Sequence, residues 1–166
     1  MLGRMKIKER YFAKQKLVKT IREGLTGASP AFAELLSDAR VEIAKTEEGI
    51  TLFLINGEPM IFEIEGRYFP TLKGLLEVAV DRLYVVVDAG AVPFIINGAD
   101  IMRPGIVEYD PGIKRGDLVV VLEERHRRPV AVGKALCSGE ELAEMEKGKC
   151  IKNLHYVGDR IWRLRT

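Results

Sequence analysis

Two cysteines and two histidines are the residues of this sequence best suited to bind a metal or act as nucleophiles: Cys137, Cys150, His126 and His155. A zinc site needs four such ligands, usually supplied by closely spaced Cys-x-x-Cys or His-x-x-x-His pairs. The four residues are scattered along the chain and form no such pair. We therefore expect no metal, and we interpret the cysteines as small, partly buried thiols.

The residue patterns of catalysis and nucleotide binding are also missing. Three serines and two histidines give little material for a hydroxyl nucleophile with its base. Neither GxxxxGKS/T nor GxGxxG, the glycine-rich loops that hold phosphates, occurs. Nothing singles out a catalytic pair among the 24 acidic residues. The sequence predicts a binding protein that is not an enzyme, has no catalytic residues and uses no cofactor.

Lysine and arginine are the remaining residues that could recognise a ligand, and their distribution is uneven. The chain has 26 Lys+Arg against 24 Asp+Glu, a formal net charge of only +2. Residues 1–22 carry a net charge of +7, whereas the remainder carries −5. A basic arm is typical of contact with phosphate backbones, because each neutralised phosphate releases counterions. We expect Lys14, Lys16 and Lys19 to make such contacts, and a solvated helix face is the alternative.

Two smaller basic clusters follow. Arg125, Arg127 and Arg128 surround His126 between two apolar runs, where a hairpin turn would present them to a phosphate or simply to solvent. The last cluster contains Arg163, with an arginine on either side at near-alternate positions. We expect Arg163 to point outward and to be one of the RNA-contacting residues.

The composition predicts a folded chain that can position these side chains. With 47% apolar residues, a chain of 166 residues should bury roughly 70% of its unfolded surface. The start of the sequence lacks the apolar segment of a secretory signal. The longest strongly apolar uncharged stretch, residues 89–99, is far shorter than the ~18 residues needed to cross a bilayer. With too few cysteines for a disulfide framework, a reducing cytoplasm without membrane contact is predicted.

The first half of the chain has the signals of helices and one hairpin. Apolar spacing predicts a helix over residues 11–23, and Ser29 followed by proline is typical of the start of a second helix over the segment AFAELLSDA. Asn56-Gly57 between two apolar runs predicts a β-hairpin with a type I′ turn. The leucine spacing from Pro70 through Leu83 indicates another helix.

From Tyr84 onward, short apolar runs alternate with turn residues, which is typical of a small β-barrel or packed sheets. Asp88 would cap a helix that ends at Gly98, although the same run could be a buried strand. Ser138 and Glu141 form a capping box before another short helix. The predicted fold class is α+β, with an α+β domain at residues 1–78 and a β-barrel domain with short helices at residues 79–166.

The motifs VVVDAGAVPFIINGADIMRPGI, GDLVVVLE, PVAVGKAL and KCIKNLHYVGDRIW, in this order and spacing, resemble the PUA domain named for pseudouridine synthases and archaeosine transglycosylases. The resemblance covers residues 82–166. The basic helix, the INGEPMIFEIEG hairpin and the FPTLKGLLE segment resemble the companion domain of one subgroup. That subgroup is the malignant T-cell amplified sequence proteins, also called translation machinery-associated proteins, and the short loops suggest an archaeal-type member.

The resemblance implies an RNA-binding protein of the small ribosomal subunit, which acts in translation initiation, reinitiation or recycling near the acceptor end of tRNA. Eukaryotic members of the family work beside the density-regulated protein, or are fused to equivalent domains in ligatin. The implied partners are therefore structured RNA, either tRNA or small-subunit rRNA, the small ribosomal subunit, and a density-regulated-protein-like or other initiation factor.

In PUA domains that hold RNA, the first helix, the glycine turn after it and the adjoining strand form the contact surface. The resemblance transfers this role to Asn97, Gly98, Ala99, Asp100, Ile101, Met102 and Arg103, where Ile101 or Met102 could lie under a splayed base or ribose. Gly98 has no side chain to keep a backbone away, exposed amides could donate to phosphate, and Arg103 adds a fork of donors. Alternatively Gly98 only ends a helix and Met102 belongs to the core. We expect Ile101 to be a core residue.

Three aromatic or histidine residues near the end of the sequence have a structural and a functional interpretation. His155 and Tyr156 could stack on a base, but we expect them to fasten the last strand to the barrel. Trp162 is expected in the core.

Two other functions stay open at this point. The chain could be an accessory RNA-binding subunit, or a truncated enzyme, of tRNA or rRNA modification. Alternatively, the first half could be a protein-docking module whose basic helix faces an acidic partner.

Overall fold

The computed structural model describes residues 3–37 and 40–166, which form two compact units. The first unit contains the described residues up to Ala79 together with Arg160–Thr166, and the second is Val80–Asp159. The predicted domains, 1–78 and 79–166, differ from these units at Ala79 and in the last seven residues. Arg160 forms an ion pair with Glu48, and the Thr166 hydroxyl donates to the carbonyl of Gly57, so this segment lies with the first unit.

Five antiparallel strands form the sheet of the first unit, in the order of the chain. They are β1 (Ile7–Phe12), β2 (Val41–Thr46), β3 (Thr51–Ile55), β4 (Glu58–Ile64) and β5 (Arg67–Pro70). Asn56 and Gly57 join β3 to β4 with φ values of 52° and 86°, which confirms the predicted hairpin. Tyr11 and Phe12, predicted to begin a helix, instead end β1. The edge position of β1 leaves most of its side chains exposed, so it lacks the alternation that marks a half-buried strand.

Two helical segments accompany this sheet. Helix α1 (Gln15–Ala28) buries Val18, Ile21 and Leu25, so the predicted helix exists but begins and ends later than residues 11–23. A 3-10 helix (Pro30–Leu36) follows Ser29 as expected, but the Ser29 side chain does not cap it. The last two residues of the predicted AFAELLSDA helix lie outside the described residues.

The helix predicted over residues 70–83 is wrong in extent. Pro70 pairs with Ile61 at the end of β5, and only α2 (Leu72–Leu75) is helical. The Thr71 hydroxyl caps α2 by accepting from the amide of Gly74 at 3.2 Å. The leucine spacing predicted too long a helix, because Pro70 belongs to strand β5 and α2 ends after a single turn.

The second unit contains a six-stranded, nearly closed β-barrel. Its strands are β6 (Tyr84–Val87), β7 (Ile101–Met102), β8 (Ile106–Tyr109), β9 (Leu118–Glu123), β10 (Pro129–Ala135) and β11 (Lys149–Tyr156). The spatial order is β7-β11-β10-β9-β6-β8, and only β6 and β9 pair in parallel. The predicted fold class, an α+β domain followed by a small barrel with short helices, is confirmed.

Three short helices connect strands of the barrel: α3 (Val92–Ile95), a 3-10 helix (Arg103–Gly105) and α4 (Gly139–Glu144). Asp88 accepts from the amide of Ala91 at 2.9 Å, so the run before Gly98 is helical and the strand alternative is wrong. Ser138 and Glu141 form the predicted capping box of α4. Within residues 3–37 and 40–166, the helices are too short or too polar to span a bilayer.

Candidate nucleic-acid interface

The turn between α3 and β7 contains most of the residues that the PUA resemblance assigns to RNA contact. Gly98 has a φ of 95°, a left-handed conformation that ends α3. The amides of Asn97, Gly98 and Ala99 donate at 3.1, 2.9 and 3.1 Å to the carbonyls of Phe94, Ile95 and Phe94, respectively. They therefore cap α3. Contrary to expectation, these three amides are not free to donate to phosphate oxygens.

Tyr156 packs against this turn. A Cβ atom at Gly98 would lie 3.4 Å from Cε1 of Tyr156, so the ring and the glycine backbone touch. The neighbouring His155 is buried, and its Nδ1 lies 2.7 Å from Oδ2 of Asp159, which also accepts the Tyr156 amide at 2.9 Å. Both side chains thus fasten the end of β11, as expected, and Tyr156 also fixes the shape of the glycine turn.

Asn153 holds the turn from β11, a role that we did not predict. Its Nδ2 donates to the carbonyls of Ile95 and Ala99 at 3.0 and 2.9 Å, and its amide donates to Oδ1 of Asp100 at 2.8 Å. Three hydrogen bonds therefore tie the turn to the last strand of the barrel. Asparagine is uncommon within strands, and its position in KCIKNLHY was the signal that could have drawn attention to it.

The negative charge of the Asp100 carboxylate is compensated by neighbouring groups. The Asn153 amide and the Lys149 ammonium group, 2.9 Å from Oδ2, hold the pKa of Asp100 below its ordinary value. Lys152 lies on the same strand and is exposed. Sequence reasoning missed both lysines, which bring positive charge to a turn whose predicted residues include a carboxylate.

Apolar side chains provide much of the exposed surface of this segment. Phe94 and Met102 are 69% and 48% exposed, and Ile96 is exposed as well. Ile101 is buried, as expected. Exposed aromatic and thioether groups beside a turn can lie against a splayed base or ribose. Met102 is therefore exposed and not a core residue, and Phe94 and Ile96 are additions to the candidate surface.

Part of the Arg103 guanidinium is occupied by hydrogen bonds within the second unit. Its Nε donates to the carbonyl of Leu142 at 2.9 Å, and its Nη1 donates to the carbonyl of Ile106 at 3.0 Å. The guanidinium also lies 5.6 Å from the ring centre of Tyr109. Arg103 therefore braces the segment after β7, and only its remaining donors are available for the predicted phosphate contact.

The predicted arginine cluster lies in the turn between β9 and β10. Arg125, Arg127 and Arg128 are all exposed. Arg127 has a local role, since its Nη1 is 3.2 Å from Oε2 of Glu108 and its guanidinium is 5.4 Å from the ring centre of Tyr84. The cluster is thus accessible, with one of its three cations braced against the barrel.

The remaining predicted residues lie in the first unit. Lys14 immediately precedes α1, and Lys16 and Lys19 lie in its first turns, all three exposed. Positive charge at a helix N-terminus is unfavourable, so these lysines do not stabilise α1 through its dipole. Arg163 is exposed in the last segment of the chain. The predicted contact residues therefore form separate groups in the two units.

In the part of the chain that the structure describes, the cysteines and histidines are not arranged as a metal site. No group of three or more His, Cys, Asp and Glu side chains there could hold a metal ion. Cys137 and Cys150 are buried. Burial raises the pKa of Cys150 to about 12, so its thiol is protonated at neutral pH.

Comparison with known protein families matches both units. The family model of the PUA domain matches residues 84–157, and that of a domain of unknown function, DUF1947, matches residues 9–78. A structure from Pyrococcus horikoshii, described as a hypothetical protein, superposes with a TM-score of 0.83 and 36% identity, covering 93% of this chain and 98% of that one. The fold and the glycine turn thus define a two-domain PUA protein.

Relatives extend over nearly the whole chain. An uncharacterized protein of Methanocaldococcus jannaschii is 46% identical over 97% of this chain and 99% of its own length. Malignant T-cell-amplified sequence 1 of Rattus norvegicus is 30% identical, with coverages of 92% and 89%. Translation machinery-associated protein 20 of Saccharomyces cerevisiae is 28% identical, with coverages of 90% and 88%. The chain belongs to the family of malignant T-cell-amplified sequence and translation machinery-associated proteins.

Proposed function

We propose that this chain is a non-catalytic RNA-binding protein of translation, which contacts the small ribosomal subunit or the acceptor end of tRNA during initiation, reinitiation or recycling. A cytoplasmic location is part of the proposal. The observation that carries it is a PUA barrel with an exposed glycine-turn surface, in a chain whose near-full-length relatives include a translation machinery-associated protein.

The two groups of predicted residues would contribute differently. Lys14, Lys16 and Lys19 give a sequence-independent attraction to phosphates, which depends on salt. The turn around Gly98 gives a shaped surface with exposed Phe94 and Met102, which suits unstacked bases at a loop or strand end. Such a division supports binding to a structured RNA with an accessible single-stranded end, and the acceptor end of tRNA has this form.

Binding of the full chain to tRNA and to purified small subunits tests the proposal. Affinity is measured between about 50 and 300 mM salt for the wild type and for a variant with Lys14, Lys16 and Lys19 all replaced by alanine. Each lost phosphate contact lowers the salt slope by about 0.7 to 0.9, so for three contacts we expect a decrease of about 2 to 3. Lys114→Ala, which removes an exposed lysine of the second unit, is the control with an unchanged slope.

Binding to neither RNA, or a salt-independent affinity, would refute the proposed function. Crosslinking followed by mapping of the modified nucleotides decides between tRNA and small-subunit rRNA. If nucleosides of the bound RNA become chemically altered during incubation, a role in modification replaces the translation role.

A protein partner, similar to the density-regulated protein or another initiation factor, is also part of the proposal. Affinity capture with the full chain from a nuclease-treated lysate separates direct protein contact from recruitment through RNA. We expect an initiation factor to remain bound after nuclease treatment. Loss of all captured factors on nuclease treatment would remove the partner from the proposal while leaving RNA binding intact.

A further inference from the structure

Residues from the two ends of the described chain line one cleft in the first unit. Gly3 to Lys6 form part of it, and the segment Arg160–Thr166 forms another part. The other two lining residues, Glu58 and Lys73, come from elsewhere in the unit. The cleft has a volume of about 990 Å³, at the upper end of the range of roughly 300 to 1,000 Å³ for ligand sites.

The cleft is strongly positive. Six cationic side chains line it, of which Arg160 is paired with Glu48, whereas Glu58 is the one acidic side chain among its described lining residues. The cations are Arg4, Lys6, Lys73, Arg160, Arg163 and Arg165. Like charges gathered at short range repel each other, and a polyanion in the cleft would remove this cost. Arg4 and Lys6 of the basic arm and the arginines of the last basic cluster, which are far apart in sequence, therefore line the same cleft.

Buried anchors hold both segments, while Arg4, Lys6, Arg163 and Arg165 are exposed. Met5 is buried in the first segment, and the carbonyl of Lys6 accepts from the amide of Glu47 at 2.9 Å. Ile161 and Leu164 are buried in the last segment. The cleft is thus built by packing and hydrogen bonding, which reduces the entropy lost when a ligand binds.

One aromatic side chain joins the cations. Trp162, expected in the core, is instead only half-buried and lines the cleft, with the Lys73 ammonium group 5.9 Å from the centre of its ring. Nε of Arg160 is buried and has no hydrogen-bond partner among the described residues. An aromatic ring beside several cations is the combination that single-stranded nucleic acids need, because bases stack and phosphates pair.

We propose that this cleft is a second RNA site, which holds a short single-stranded RNA segment with phosphates on Arg4, Lys6, Arg163 and Arg165 and a base or ribose against Trp162. The inference rests on the proposed function and adds to it a contact in the first unit. A single phosphate would leave most of the volume empty. An acidic peptide would use the charges but has no base to stack on the indole.

Trp162 is the sole tryptophan of the chain, so its fluorescence reports on this cleft directly. The full chain is titrated with a hexauridylate RNA, and we expect saturable quenching of Trp162 emission. Inorganic polyphosphate should compete with the RNA and polyglutamate should compete weakly, both with little quenching. Quenching by polyglutamate as strong as by RNA would assign the cleft to an acidic peptide and overturn the proposal.

Variants test the two types of contact separately. Arg163→Ala combined with Arg165→Ala should lower the salt slope of hexauridylate binding by about 1.4, at 0.7 per phosphate contact. Trp162→Ala should weaken binding by about 5- to 150-fold, whereas Trp162→Phe should retain most of the affinity. Lys114→Ala, which removes one exposed cation of the second unit, is the control, with wild-type affinity and wild-type quenching expected.

Failure of this inference differs from failure of the proposed function. Hexauridylate that binds without quenching Trp162, or with equal affinity to the double arginine variant, overturns the cleft site. If tRNA or small-subunit binding persists at the same time, the proposed function stands and the glycine turn carries it. Absence of binding to those two RNAs refutes the proposed function whatever hexauridylate does.

Discussion

The glycine turn of the second unit and the basic cleft of the first unit differ in how their charges are used. At the turn, Asp100 pairs with Lys149 and Arg103 donates to two backbone carbonyls, and the exposed side chains include three large apolar ones. In the cleft, six cations accompany one acidic side chain among the described lining residues. The two proposed RNA contacts would therefore differ in type, one governed by shape and apolar surface and the other by charge.

The largest expected effect tests the apolar character of the turn. Phe94→Ala combined with Met102→Ala should weaken RNA binding by about 3 kcal/mol, because base–aromatic stacking contributes about 1 to 3 kcal/mol per base. The salt slope should stay unchanged, and the free energy of unfolding should change by less than about 0.5 kcal/mol because both side chains are exposed. Val107→Ala, at an exposed position on β8, is the control. A smaller salt slope would mean that the turn also works through charge.

Replacement of glycine tests the shape of the turn. Gly98→Ala and Gly116→Ala both place a side chain at a φ above 90°, which costs about 2 kcal/mol of stability in each case. Only the Cβ at Gly98 approaches Tyr156, since a Cβ at Gly116 has no neighbour within 4 Å. Denaturant unfolding should therefore show similar losses, and RNA titration should show weaker binding for Gly98→Ala alone. Equal RNA affinities would separate the turn from binding.

Replacement of Asn153, which ties the glycine turn to β11, has a smaller expected effect. Asn153→Ala removes two side-chain hydrogen bonds to the carbonyls of Ile95 and Ala99, at an expected cost of about 1.5 kcal/mol in the free energy of unfolding. Asn97→Ala, which removes one exposed bond to the carbonyl of Pro93, should cost less than about 0.5 kcal/mol. Urea unfolding monitored by circular dichroism gives both values. Equal costs would show that Asn153 does not clamp the turn.

The smallest effect concerns pH. The folded-state pKa of Asp100 is lowered, so its stabilising contribution is complete above the ordinary aspartate pKa of about 3.9 and is lost as pH falls through the folded value. Unfolding free energies of the wild type and of Asp100→Asn should therefore converge as the pH decreases below about 4. A difference that stays constant over this range would show that the contacts of Asp100 with the Asn153 amide and Lys149 contribute no pH-dependent stability.

Local signals in the sequence predicted the elements that depend on neighbours in the chain. The Asn56-Gly57 hairpin and the Ser138–Glu141 capping box are confirmed because a turn and a cap involve residues that are adjacent in sequence. Strand β1 was missed because its partner, β2, lies about thirty residues further on and its exposed side chains give no alternation. Pairing across such distances outweighs local propensity.

The candidate site was predictable as a set of residue types but not as a set of available groups. The resemblance located Gly98 and Met102, whereas the sequence could not show that Arg103 is held by Leu142, 39 residues away, or that Asn153 supports the turn. It also could not join the first and last basic clusters, because Trp162 and its neighbours were assigned to the second domain. Each of these facts depends on tertiary contacts.

The last segment of the chain makes the first unit a discontinuous domain, with Val80–Asp159 inserted into it. When that insertion is unfolded, the segment after it is tethered by a long flexible loop, and closing a loop of this length costs roughly 4 kcal/mol. A folded insertion is far more compact than the same residues in an unfolded chain. Folding of the barrel therefore favours docking of Arg160–Thr166, so the two units are thermodynamically linked, and mutations that loosen the barrel should also release this segment.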